Sequence, residues 1–254
     1  MTKLITLVLA ALLAVPAAAA PLLVAAASDL SYCIDELAAA FRKESPETEL
    51  KVSLGASGNF YAQIRNGAPH DVFLSADIEY PAQLAKLGAA DGATLTPYAV
   101  GRLALWTLDP KLDPAQGLAL LRDPRVQRVA IANPDTAPYG RAAKAALVRD
   151  GLLDAVTPKL VIGENIAQTA QFVQSGNAQA GIVSYSALRS PKLAGAGRYY
   201  LIPDAGMAPI EQGAIVTKAG AANPQALRFV RFLGSPAARA IFERHGFGLP
   251  RARD

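Results

Sequence analysis

Short apolar runs alternate along this chain with longer stretches in which apolar residues recur every three or four positions. Leu22–Ala27, Val72–Ser75 and Val129–Ala132 are runs of the first kind and predict buried strands, and the stretches between them predict amphipathic helices. This alternation is typical of an α/β fold in which helices cover a mostly parallel sheet. With 254 residues, 52% of them hydrophobic, the chain can bury one large core or two modest ones. Disordered and low-complexity architectures are thereby excluded.

The sequence contains no internal repeat and no Gly/Ser linker between two halves. If the chain nevertheless forms two lobes, it must cross between them through ordered strands, near residues 101–105 and 212–216. Lobe I would then comprise residues 20–100 and 213–254, and lobe II residues 101–212. Each lobe is expected to hold a mostly parallel sheet flanked by helices, with the two crossing strands as the hinge.

The first 19 residues have the pattern of a secretory signal peptide. Lys3 precedes an apolar run from Leu4 to Val15, and Pro16 and a series of alanines follow. The run is shorter than a membrane span requires. We predict cleavage after Ala19 and a periplasmic location for the mature protein.

Charge and residue counts exclude several classes of function. The 25 basic and 21 acidic residues give a net charge of +4, and the basic residues are scattered, which argues against a nucleic-acid reader. The single cysteine, Cys33, allows no internal disulfide, and His70 and His245 are too few for a histidine-rich metal site. We expect no direct metal-cation ligands and no cofactor.

Four predicted helices begin directly after predicted strands, at Ser28, Ser57, Tyr139 and Asn165. In an open α/β sheet, ligands bind at the carboxyl ends of the strands. Each helix start offers unpaired N–H groups and a positive dipole end, and the serines add hydroxyl donors, so the set suits a small oxyanion. Any one serine could instead be an ordinary helix cap, and Ser28 or Ser31 is the expected cap of the first helix.

Several of these segments resemble the periplasmic molybdate-binding protein family, over essentially the whole chain after residue 19. The most specific part is Gly67–Asp77. The other matching residues are Ala25–Ser28, Gly55–Gly58, Pro138–Gly140, Thr157–Leu160, Gly163–Ile166, Gly181–Val183, Ala240–Phe242 and Gly246-Phe247. The resemblance implies a type II periplasmic binding protein. Its two α/β lobes would close on molybdate or tungstate, and a monomer would deliver the anion to the permease and ATPase subunits of an ABC importer.

The resemblance also implies a set of anion contacts. They fall on the hydroxyl and backbone groups of Ser28 and Ser57 and on the backbone N–H groups of Tyr139 and Ile166. Further candidates are Asp29, through its backbone, and Ser184 and Tyr185. Ser184 stands where the best-known pattern has a tyrosine, and strand alternation puts Tyr185 on the opposite face, so Tyr139 is the favoured source of a hydroxyl.

Two alternatives remain open from the sequence. The chain could bind another small anion, such as sulfate, phosphate or an organic acid, because serines and helix starts would serve those ligands too. An exported serine hydrolase is the more remote alternative, since Gly55-Ala56-Ser57-Gly58 lacks the second glycine of a nucleophile turn and no histidine-and-acid set accompanies it. We therefore expect a binding protein and not an enzyme.

Overall fold

The computed structural model describes residues 20–251, so the predicted signal peptide lies outside the described residues. Within this range the chain forms two five-stranded sheets flanked by helices. The strands are β1 (Leu22–Ala27), β2 (Leu50–Gly55), β3 (Val72–Ser75), β4 (Thr96–Gly101), β5 (Leu103–Thr107), β6 (Val129–Ala132), β7 (Leu160–Gly163), β8 (Ala180–Ser184), β9 (Arg198–Leu201) and β10 (Ile210–Val216). The α-helices are α1 (Ile34–Glu44), α2 (Ser57–Arg65), α3 (Glu79–Lys86), α4 (Pro138–Arg149), α5 (Leu153–Val156), α6 (Ile166–Gln174), α7 (Tyr185–Arg189), α8 (Pro224–Leu233) and α9 (Pro236–Arg244).

The two sheets have equivalent strand orders, β2-β1-β3-β10-β4 and β7-β6-β8-β5-β9. In the first sheet β1 is parallel to β2 and β3, and β10 is antiparallel to β3 and β4. In the second sheet β6 is parallel to β7 and β8, and β5 is antiparallel to β8 and β9. Every strand but one in each sheet therefore runs in the same direction, and the two-lobed, mostly parallel α/β fold predicted from the sequence is confirmed.

The reversed strand in each sheet is the one that follows a crossing between the lobes. Only Arg102 separates β4 of the first sheet from β5 of the second, and residues 202–209 lead from β9 back to β10. Lobe I is the part of the molecule built on the first sheet, and lobe II is the part built on the second. The residue at which each lobe ends stays a prediction.

Each sheet is covered on both faces by an apolar core. In lobe I, Phe41 of α1 packs against Phe229 of α8 with ring centroids 5.1 Å apart, and Phe60 and Phe73 lie in the core on the other face. In lobe II, Trp106 of β5 is fully buried in one core, and α4 contributes to the other. These cores make each sheet a rigid base from which loops and helix starts project.

Most predicted elements coincide with observed ones, and Leu22–Ala27, Val72–Ser75 and Val129–Ala132 agree to the residue. Strand β9 was not predicted, because it is a largely exposed edge strand with little apolar pattern. The expected serine cap is also absent. A 3-10 helix over Ser28–Tyr32 precedes α1 and begins after Ala27, with no side-chain cap. In the described range, no helix is long and apolar enough to cross a membrane.

Candidate anion-binding site

A small cavity lies between the lobes at the carboxyl ends of β1, β2 and β6, where open α/β sheets bind ligands. Lobe I and lobe II both contribute to its wall. The lining residues are 27–29, 55–57, Ala76, 137–139 and Ile166. Within this lining, all of it in the described range, there is no cationic side chain, so any anion bound here would be held by neutral donors.

Three of the helices that begin at the cavity do so without a side-chain cap. The residues before their first turns are alanines, Ala27, Ala56 and Ala137, which have no side-chain oxygen to accept an N–H. Helices α8 and α9, away from the cavity, are instead capped by Asn223 and Ser235. No cap side chain therefore competes with an external acceptor at these helix starts, and their partial positive charge favours an anion. In α2, the N–H of Gly58 is already used by the Thr136 carbonyl oxygen.

Helix α6 also begins at the cavity, but its first turn is capped by the side chain of Asn165. The Asn165 side chain accepts hydrogen bonds from the N–H groups of Ala167 and Gln168, both at 3.1 Å. This capping leaves the N–H of Ile166, which lines the cavity, outside the cap. The backbone donor that the sequence placed at Ile166 is thus positioned at the cavity wall.

Ser28 and Ser57 are buried and each accepts a backbone hydrogen bond through its hydroxyl oxygen. Ser57 Oγ accepts from the N–H of Ala76 at 3.0 Å, and Ser28 Oγ accepts from the N–H of Ala167, across the cleft, at 3.4 Å. A hydroxyl whose oxygen already accepts an N–H can still donate its hydrogen. Both serines line the cavity and keep a hydroxyl hydrogen that neither of these two bonds uses.

The hydroxyl of Tyr139 is engaged by a buried network. It donates to Asp29 Oδ2 at 2.9 Å and accepts from Gln212 Nε2 at 3.2 Å. Gln212 also donates to Asp29 Oδ2 at 2.6 Å, and its Oε1 accepts from Tyr98 at 2.8 Å. Tyr139 therefore offers the cavity its backbone N–H, in the first turn of α4, while its hydroxyl joins lobe II to Asp29 in lobe I.

Asp29 is fully buried, and its two carboxylate oxygens have different surroundings. Oδ2 accepts from Tyr139 and Gln212, whereas Oδ1 is buried without a hydrogen-bond partner. Burial raises the pKa of Asp29 from 3.8 to about 6, and the hydrogen bonds from the Gln212 and Tyr139 side chains, together with the nearby backbone N–H groups of Asp29 and Leu30, only partly offset the rise. Lobe II also reaches this residue through Ser186 Oγ, which donates to the Asp29 carbonyl oxygen at 3.2 Å.

Two further contacts close the cleft around the cavity. The N–H of Gly58, in lobe I, donates to the carbonyl oxygen of Thr136, in lobe II, at 2.8 Å. At the cleft edge the Arg141 guanidinium of α4 pairs with Asp77, donates to the Tyr80 hydroxyl at 2.9 Å and lies over the Tyr80 ring. Both side chains of this ion pair are partly exposed, and the pair connects the lobes because Arg141 lies in the first turn of α4 and Asp77 lies just before α3.

Ser184 and Tyr185 are not brought to the cavity. Ser184 is buried at the end of β8, where its Oγ lies within hydrogen-bond distance of Ser186 Oγ, at 3.0 Å. The Tyr185 ring lies beside Arg102 and Tyr199, on the far side of that turn. Ser28, Asp29, Ser57, Tyr139 and Ile166 are the predicted site residues that line one cavity.

Gln212, Tyr98, Gly58 and the Arg141 pair were missed by sequence reasoning. Gln212 and Tyr98 lie 183 and 69 positions from Asp29, in β10 and β4, and the local sequence of neither strand points to Asp29. Gly58 was part of the quoted Gly55–Gly58 segment, but nothing local shows that Thr136 approaches it. Only the packing of the lobes creates these contacts.

Neither histidine is at the site. His70 packs its ring against Phe60, and His245 contacts Glu36 at 2.9 Å, so Ser57 has neither as a partner. Among residues 20–251 no group of three or more His, Cys, Asp or Glu side chains could hold a metal ion.

Two α/β lobes joined by two crossings, with a cavity between them that is lined by helix starts and hydroxyl groups and by no cationic side chain of the described residues, define a solute-binding protein of the type II periplasmic class. The model of the family described as bacterial extracellular solute-binding protein matches residues 22–248, and the chain belongs to that family.

Similar proteins cover nearly the whole chain. The molybdate-binding protein ModA of Azotobacter vinelandii is 39% identical over 98% of both chains, and ModA of Rhodobacter capsulatus is 37% identical over 92% of this chain and 91% of its own. The solved structure of the Azotobacter vinelandii periplasmic molybdate-binding protein superposes with a TM-score of 0.85 and 34% identity, covering 91% of this chain and all of that one.

Proposed function

We propose that this protein captures molybdate, and equally tungstate, in the cavity between its lobes. The observation that carries the proposal is the convergence of uncapped helix starts and two serine hydroxyls on one buried cavity without a cation. The similarity to molybdate-binding proteins over nearly the full length supports this choice of anion.

The chemistry of the lining supports a fully deprotonated tetrahedral oxyanion. Ser28 and Ser57 would donate from their hydroxyls, and Tyr139 and Ile166 from their backbone N–H groups. Fixed donors that reach the oxygens of molybdate or tungstate would leave the smaller sulfate under-coordinated, and each unsatisfied buried donor costs about 1–3 kcal/mol. We therefore expect sulfate and phosphate to bind much more weakly.

The protein would act by binding and delivery, without catalysing a reaction. We place it in the periplasm, exported by residues 1–19, where it would work as a monomer. Closure of the lobes on the anion would create the shape that the permease and ATPase subunits of an ABC importer recognise. The hydrogen bonds across the cleft, from Gly58 to Thr136 and from Ala167 to Ser28, support a closed form of this kind.

Thermal unfolding of the chain from Ala20, alone and with each of four anions, tests the proposal. Molybdate or tungstate at about a thousandfold over the dissociation constant should add about 4 kcal/mol to the free energy of unfolding. Sulfate and phosphate at the same concentration should add little. An equal shift with sulfate would contradict the assignment of the anion, and no shift with any of the four would contradict an oxyanion receptor altogether.

A further inference from the structure

Among the described residues that line the cavity, Asp29 is the one carboxylate, and an acid is an unexpected neighbour for a dianion. An ionised Asp29 would repel the ligand at short range, in a site where burial weakens screening. The carboxyl group is nevertheless built into the site, since Tyr139 and Gln212 both donate to Oδ2 and hold the side chain in place. Its other oxygen, Oδ1, is buried and has no partner.

We propose that oxyanion capture is coupled to the uptake of one proton by Asp29, which then donates a hydrogen bond from Oδ1 to the bound anion. The inference rests on the proposed function. The proton comes from the solvent while the cleft is open, and it converts the carboxylate to a neutral carboxyl group. The same step removes the like charge and turns an orphaned acceptor into a donor, matching the other donors of the cavity.

The ionisable groups around Asp29 are all neutral at pH 7, so Asp29 itself is the group expected to take up the proton. Tyr98 of β4, Tyr139 of α4, and Tyr32 and Cys33 of its own segment surround it, and burial raises the pKa of each of these four, so all are neutral at pH 7. Ser184, Ser186 and Gln212 carry no charge. Burial already raises the pKa of Asp29 to about 6 before any ligand is present, and a dianion beside it would raise that pKa further.

Proton uptake by Asp29 should make molybdate binding weaker as the pH rises. In the open, solvated cleft Asp29 is ionised above about pH 5, as an ordinary aspartate is. In the liganded form it is protonated, so each binding event takes up a proton, and the association constant should fall about tenfold for each pH unit between 7 and 8.5. Both molybdate and tungstate remain dianions over this range, so the ligand itself contributes no proton change.

The test is calorimetric titration with molybdate at pH 7.5 in two buffers of different ionisation heat, repeated between pH 6.5 and 8.5. The wild-type protein should take up close to one proton per anion. Asp29→Asn should bind without proton uptake and with an affinity that hardly changes with pH, because its amide donates without titrating. Asp123→Asn is the matched control, since Asp123 pairs with Arg125 on the surface of lobe II, and it should behave as wild type.

The outcomes separate the two proposals. Molybdate binding without proton uptake by the wild-type protein would overturn the role of Asp29 and leave the proposed function standing, and this measurement requires no variant to fold. Uptake that persists in Asp29→Asn would also overturn it, by moving the proton to another group such as His70 or His245. Preferential binding of hydrogenphosphate would mean that Asp29 stays ionised and accepts a hydrogen bond from the P–OH group of the ligand, and would contradict both proposals. No binding of molybdate or tungstate would refute the proposed function itself.

Discussion

The two lobes share one strand order but contribute to the cavity in different ways. Lobe I lines it with polar side chains, the hydroxyls of Ser28 and Ser57 and the carboxyl group of Asp29, in addition to its two uncapped helix starts, whereas lobe II lines it mainly with the backbone at Tyr139 and Ile166. The one polar side chain of lobe II in the lining, Tyr139, uses its hydroxyl on Asp29. Equivalent sheets therefore do not imply equivalent binding halves. Substitution can remove the side-chain contacts of lobe I, whereas the backbone contacts of lobe II depend on where the main chain lies.

Gly58→Ala should have the largest effect, because the backbones of the two lobes meet at Gly58. A Cβ added there would lie 2.7 Å from the Thr136 carbonyl oxygen and 3.0 Å from its Cα, so Gly58→Ala should prevent full closure. We expect the affinity for molybdate to fall roughly 100-fold or more, since the closed state becomes rare. The unliganded protein should unfold at or slightly above the wild-type temperature, because alanine favours the helix.

Gly234→Ala is the control for this variant, because an added Cβ there meets nothing nearer than 3.5 Å. It should leave the affinity unchanged. Calorimetry measures the affinities, and small-angle scattering with and without molybdate reports closure. A Gly58→Ala protein that closes and binds like wild type would show that the lobes do not need this contact.

Two substitutions, one in each lobe, should show whether side-chain hydroxyls or backbone N–H groups provide the contact with the anion. Ser57→Ala removes a hydroxyl donor and should weaken molybdate binding about 10- to 100-fold, in line with about 1–3 kcal/mol for an unmet buried hydrogen bond. Ile166→Val keeps the N–H and should change the affinity less than about twofold, at a stability cost of about 1 kcal/mol. Titration of both variants, with thermal unfolding of the unliganded forms, measures the contrast. Similar losses in both would contradict the division between the lobes.

The α/β class could be predicted from the sequence because short apolar runs alternate with amphipathic stretches in both lobes. Apolar runs such as Val129–Ala132 are buried on both faces of the sheet, and a run of that kind identifies a strand without knowledge of its neighbours. The serines that follow β1 and β2 were found for the same reason. Strand β9 was missed because an exposed edge strand lacks this pattern.

The arrangement within the site could not be predicted to the same extent. The sequence places Asp29 beside Ser28, but its partners Gln212 and Tyr139 come from β10 and α4, and only the packing of the lobes on the crossing strands brings the three together. Gly101 shows how tight this packing is, because a Cβ there would lie 2.3 Å from the Tyr139 hydroxyl. Such contacts follow from tertiary geometry and leave no periodic signal.

Tyr139→Phe sharpens the comparison by removing the one side-chain hydroxyl that lobe II brings to the lining. Because that hydroxyl donates to Asp29, we expect less than a tenfold loss of affinity, well below the effect of Ser57→Ala. The pKa of Asp29 should rise, since a hydrogen bond that stabilises its ionised form is lost. Proton uptake against pH, measured by calorimetry, reports that shift. A loss as large as that of Ser57→Ala would place the tyrosine hydroxyl on the anion instead.

The smallest effect is expected at the edge of the cleft, where both lobes contribute side chains. Arg141 and Asp77 border a wider cleft of about 440 Å³ and are partly exposed, so their ion pair contributes about 0.2–1 kcal/mol to the closed form. Asp77→Asn and Arg141→Gln should each raise the dissociation rate of molybdate up to about fivefold in low salt, with little change in the association rate.

The effect should fade as salt is added, because partly exposed charges are screened. The matched control is Asp123→Asn, whose partner Arg125 lies in the same lobe, so that its ion pair does not span the cleft. Stopped-flow displacement of molybdate gives the rates. If neither Asp77→Asn nor Arg141→Gln dissociates faster than wild type at low salt, the edge contact follows closure rather than stabilising it.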